Sequence, residues 1–112
     1  MFELFAETID RIPPKATLNF LKREYETLQD ALRHQRIKET PEIHSIMCFC
    51  QYLNIAADAD TVFAAVDLPV EHTMCYRKIV KRLIEAGEIP ETAEAQFDAA
   101  ISVGFQRRLA NN

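Results

Sequence analysis

Five prolines, at positions 13, 14, 41, 69 and 90, constrain this chain more than any other feature. Proline gives no N–H to a helix interior and its ring collides with the preceding turn, so helices must end or begin where it stands. The stretches between the prolines carry apolar residues at three- and four-residue spacing, which is helical periodicity. Glycine could relax these limits, but the chain has only 2. Few positions can therefore take a positive φ at low cost, which argues against a many-stranded sandwich with tight turns and against glycine-rich phosphate loops. The expected fold is all-α, a compact bundle of five or six helices in a single domain over residues 1–112. With 48% hydrophobic residues, a chain of this length can build a core without disulfides or a structural metal.

The individual stretches read as follows. Phe2, Phe5, Ile9 and Ile12 form one stripe that Pro13-Pro14 closes. A helix this short is unstable alone in water, so its stripe must dock on its own bundle or on a second copy, the latter giving a homodimer. Pro14 suits the first turn of the next helix, whose Leu18, Leu21, Tyr25, Leu28 and Leu32 alternate by three and four and are expected to face the core. Its end is marked by Arg33, His34, Arg36 and Lys38, cations that complement the C-terminal end of a helix dipole. Glu24, Glu26 and Asp30 are expected on its solvated side.

Thr40-Pro41-Glu42 reads as an N-cap, a first helical residue and a first-turn acid. The run Ile46 to Cys50 is continuously apolar, a pattern shared by a buried helix and a short buried strand; the Thr-Pro start favours helix. Asp58 or Asp60 can cap a short helix through Val66, which Leu68-Pro69 breaks. A longer helix is expected from Val70 to Ala86, with Tyr76, Ile79, Val80 and Leu83 inward and Gly87 as the left-handed residue that ends it. Pro90 begins the last, whose apolar face is Phe97, Ala100, Ile101, Gly104, Phe105 and Leu109. Ile12-Pro13 and Ile89-Pro90 are each followed by Ala and Phe at the same offsets (Ala16 and Phe20; Ala93 and Phe97), as though one kind of helix start were used twice.

Seventeen acidic and 13 basic residues leave a net charge of −4, which opposes diffuse attraction to nucleic acid or to an anionic membrane. No apolar run approaches the ~20 residues of a membrane span. The first residues are acidic where a signal or transit peptide would be cationic. Three cysteines cannot all pair within one chain, so a reducing, cytoplasmic setting is expected.

Three constellations invite chemistry. Arg77, Lys78, Lys81 and Arg82 make a compact cationic patch on helix 70–86, and the segment from Asp60 to Gly87 has the outline of a helix-turn-helix. Such a patch could grip phosphates, and the run Arg82-Leu83-Ile84-Glu85-Ala86-Gly87-Glu88-Ile89 resembles the close of a recognition helix in winged-helix regulators. It departs from the pattern in its short first helix and in Pro90, after which helix formers replace a wing. A helix whose solvated face happens to be basic explains the same residues.

His44 with Cys48, and His72 with Cys75, share helix faces at spacings of four and three, and would form a tetrahedral zinc site if the two pairs met. Small core cysteines and water-exposed histidines near helix starts explain the same residues, and are the favoured reading. Cys75 and His72 also have the types of a nucleophile and its base. No Walker loop, dinucleotide fingerprint, nucleophile elbow or His-Glu-x-x-His is present, so no cofactor is implied. The function expected is non-catalytic binding of a protein partner, with DNA binding through helix 70–86 as the alternative and a His/Cys metal or thiol site third.

Overall fold

The structure, a computed structural model, describes residues 2–56 and 69–111. It is all-α: five helices, and no strand among the described residues, in the order α1 (Phe2–Arg11), α2 (Pro14–Arg33), α3 (Pro41–Ala56), α4 (Val70–Glu85) and α5 (Thr92–Asn111). Residues 46–50 are helical within α3. The short helix expected before Val66, and with it the first half of the helix-turn-helix outline, lies outside the described residues. The chain divides into two compact units, Met1–Asn54 and Ile55–Asn112.

Prolines set the helix starts as their chemistry requires. Pro13 and Pro69 occupy the N-cap positions of α2 and α4 in nearly the same extended conformation, φ −59 and −57, ψ 148 and 143. In each case the proline carbonyl accepts a hydrogen bond from the hydroxyl of the threonine four residues on, Thr17 at 3.2 Å and Thr73 at 3.0 Å. Both threonines are buried, and this bond satisfies hydroxyls that would otherwise be costly there. α3 starts as its sequence dictates, with the Thr40 hydroxyl accepting from the Ile43 N–H at 3.2 Å. α5 begins at Thr92 instead of Pro90; the Pro90 carbonyl accepts from Ala93 at 3.0 Å, just as Pro13 accepts from Ala16 at 2.9 Å. The matched sequence pattern is thus a matched opening turn.

Two helices end in the same motif on different residues. After α4, Gly87 takes φ +75, its N–H bonds to Ile84 and the N–H of Glu88 to Leu83. After α2, Gln35 takes φ 58, its N–H bonds to Leu32 and the N–H of Arg36 to Ala31. Both are Schellman closures, which satisfy the last carbonyls of a helix by turning one residue into the left-handed region. Arg36 and Lys38 lie beyond the end of α2, but Arg36 and His34 still reach Asp30 in its last turn, at 3.7 and 3.2 Å.

In the first unit, Phe5 and Ile9 are buried within the chain, so α1 needs no second copy to cover them. The ring of Phe5 lies 6.2 Å from that of Phe20. The Phe2 N–H donates to the carboxylate of Glu42, which places one negative charge at the N-terminal ends of both α1 and α3, where helix dipoles favour it. On α2 the buried line runs through Thr17, Leu21 and Leu28, with Glu24 half-buried between them; Leu18, Tyr25 and Leu32, expected inside, are half-exposed. The helix is rotated so that its 17-21-24-28 row faces inward, one position off the row its leucines suggest. α3 is the most buried helix of this unit, with Ile43, Ile46, Phe49, Cys50, Tyr52 and Leu53 all inside.

In the second unit, Tyr76, Ile79, Val80 and Leu83 of α4 are buried as their spacing predicts, and so are Ile89 in the connection and Ala93, Phe97 and Ala100 of α5. Leu109, expected on the inner face, is exposed. The reason is register. Ion pairs join position 77 to 98 and 81 to 94, so α4 and α5 run antiparallel and position 70 comes level with 105. Leu109 therefore lies about one turn past the first residue of α4, with no α4 backbone beside it.

Candidate functional site

Two of the four cations of the α4 patch are paired with acids of α5. Arg77 donates from Nε and Nη2 to Oδ1 of Asp98, at 3.1 and 2.8 Å, and Lys81 Nζ lies 3.7 Å from Glu94 Oε1. Arg82 is half-buried and also engaged, while Lys78 is exposed. Phosphate binding would have to displace two acids that already neutralise half the patch. The signal for this arrangement is present in the sequence. Arg77 and Lys81 are four apart, Glu94 and Asp98 are four apart, and a short antiparallel connection lies between them. The resemblance to a winged-helix close ends at Gly87, because the chain goes directly into α5 and no strand follows among the described residues.

Those pairs are one end of a seam between α4 and α5. Towards the N-terminus of α4 the same stripe, at spacings of three and four, passes from Lys81 and Arg77 to Met74 and Val70, which are 61% and 67% exposed. Towards the C-terminus of α5 the stripe leads from Glu94 and Asp98 to Leu109, 59% exposed. Beside it, the outer face of α5 presents Ala95, Ala99, Ser102, Gln106 and Ala110, all exposed and all uncharged. Water-facing helix surfaces ordinarily carry the charge of an amphipathic helix. Along this stripe no side chain is charged and four of the five are small, while two arginines, at 107 and 108, belong to the same helix.

Of the residues expected to bind zinc, His44 and Cys48 belong to the first unit and His72 and Cys75 to the second. Among the described residues no group of three or more His, Cys, Asp or Glu side chains is placed to hold a metal ion. His72 is half-buried with its ring 6.1 Å from that of Tyr76, edge to face. His44 Nε2 lies 3.4 Å from Cys48 Sγ, and its other ring nitrogen, Nδ1, lies 3.3 Å from Glu39 Oε1. All three cysteines are free thiols. Cys50 is a core residue, as expected of a small hydrophobe, and burial pushes its thiol up to about 12, with the nearby charge of Glu24 adding to the rise. Burial likewise raises the carboxyl of Glu24, which therefore does not sit on a fully solvated face. No family model, curated protein or solved structure matches the chain, and no helix among the described residues is long and apolar enough to cross a membrane.

Proposed function

We propose that this chain is a non-catalytic helical module that binds a partner protein in the cytoplasm, and that the α4–α5 hairpin carries the contact. The observation behind this reading is the exposed, uncharged stripe Ala95, Ala99, Ser102, Gln106 and Ala110 of α5, beside exposed Val70, Met74 and Leu109. Depletion of charge around exposed apolar side chains is the compositional mark of the centre of a protein interface. Alanine and serine on the ridge let another backbone approach closely. The occupant that suits this surface is an amphipathic helix of the partner, lying along α5 with its apolar residues over Val70, Met74 and Leu109. Three free thiols favour a reducing compartment. DNA binding draws less support, since Arg77 and Lys81 are held by Asp98 and Glu94.

The test compares the wild-type chain with Val70→Asp/Leu109→Asp, both exposed positions whose change leaves the helices intact by circular dichroism. Each is immobilised and exposed to an extract of its own cells, and retained proteins are quantified. The expected result is one protein retained in near-stoichiometric amount by the wild type and by Arg77→Ala/Lys81→Ala, and lost from the aspartate variant. Equal retention by wild type and aspartate variant overturns the reading. So does sedimentation showing that the only complex through this face is a second copy.

A further inference from the structure

Glu39, just before α3, and His44 and Cys48, four apart on α3, are linked by two side-chain contacts within the first unit. A carboxylate can only accept, so in the neutral imidazole the 3.3 Å contact with Glu39 selects the tautomer with its proton on Nδ1. Nε2 is then an acceptor, and it faces the Cys48 thiol at 3.4 Å. The nucleophile, its base and the group that orients the base are thus in contact in the order that nucleophilic catalysis uses. The relay is open to water on one side, His44 and Glu39 being 60% and 61% exposed. Cys48 lies in the body of α3, where backbone N–H groups are bound within the helix. They cannot form the donor pair that stabilises an acyl-transfer oxyanion. The chemistry left to such a thiol is attack on a soft centre that needs no such support.

We propose that Cys48 is a base-assisted thiol–disulfide exchange site, whose co-reactant is a low-molecular-weight disulfide. The Cys48 proton passes to His44 Nε2 as Sγ attacks one sulfur of the disulfide. The disulfide bond breaks, and the departing thiolate takes the proton from the imidazolium. Cys48 is oxidised to a mixed disulfide, and one half of the co-reactant leaves as a reduced thiol. Glu39 holds the imidazole in the required tautomer and offsets its transient charge. Burial and the charge of Glu39 keep Cys48 as the thiol at rest, so its reactivity rests on transfer to His44 and not on a standing thiolate. Cys50, buried two residues away, is an internal control that does not react in the folded chain.

The test treats the full chain with oxidised glutathione at pH 7 and follows the adduct at each cysteine by mass spectrometry. Cys48 is expected to gain a glutathione that a dithiol reductant removes, with Cys50 unmodified. His44→Ala is expected to slow the reaction at Cys48 at least ~10-fold, the lower side of what a positioned base supplies. Free imidazole should restore part of that loss, which a merely structural role for His44 would not allow. An unchanged rate at Cys48 in His44→Ala overturns the proposal, as does a loss that imidazole does not rescue. Modification of Cys50 as fast as Cys48 does the same.

Discussion

Gly87 and Gln35 close their helices in the same left-handed turn, so opposite substitutions should have opposite effects. At Gly87, φ is +75 and an added Cβ would meet nothing within 4 Å. Gly87→Ala therefore has no steric clash, and its cost is the intrinsic penalty of an L-residue in that region, roughly 1–2 kcal/mol. The smaller conformational freedom of alanine in the unfolded chain returns about 0.4–1 kcal/mol, leaving a net loss of about 1 kcal/mol. Gln35 already carries this penalty at φ 58, so Gln35→Gly should gain about 0.5–1 kcal/mol by the same arithmetic in reverse. For a chain of this size each kcal/mol moves the melting temperature by ~4 °C. Urea and thermal unfolding followed by circular dichroism read both. Gly87→Asn should fall between glycine and alanine, because asparagine tolerates this region. Destabilisation by Gln35→Gly, or a Gly87→Ala variant as stable as wild type, would refute the reasoning.

Leu28 is 5% exposed in the inward row of α2, and Leu28→Ala should cost on the order of 2–5 kcal/mol by calorimetry, whereas Leu32→Ala should cost less because Leu32 is only half-buried. Burial holds the Glu24 carboxyl above its ordinary 4.5, so the folded chain keeps this proton longer than the unfolded one and stability falls as pH rises from about 4.5 through the folded value. Glu24→Gln should accordingly raise the urea midpoint at pH 7 and leave it nearly unchanged at pH 4; the same gain at both pH values would show that the charge is not the cause. Wild-type chain should give no mobility shift with duplex DNA at ~150 mM salt, because paired acids offset a patch of few cations. A salt-sensitive shift lost on replacing Arg77, Lys78, Lys81 and Arg82 by Ala would reverse the preference for a protein partner.

The sequence alone determined where most helices begin and end, because those rules are local. Proline lacks an N–H and fixes φ, Thr40 can cap the turn ahead of it, and Gly87 takes the left-handed residue, so the starts of α2, α3 and α4 and the end of α4 were legible from a few neighbours. Spacing also identified the inward face of α4 and the shared face of His44 and Cys48. The tertiary structure decided what depends on residues distant in the chain. Periodicity names a stripe but not its rotation, and α2 settles with Thr17 and Glu24 facing inward while Leu18 and Leu32 stay half-outside. Leu109 had the right spacing for the core, but the register with α4 carries it past its partner helix. A cation looks available until the opposing helix is placed, and only then are Asp98 and Glu94 seen to hold Arg77 and Lys81. Gln35 shows the limit of local rules: nothing in a glutamine announces a positive φ, and it adopts one because the end of α2 must be closed where the chain turns towards α3.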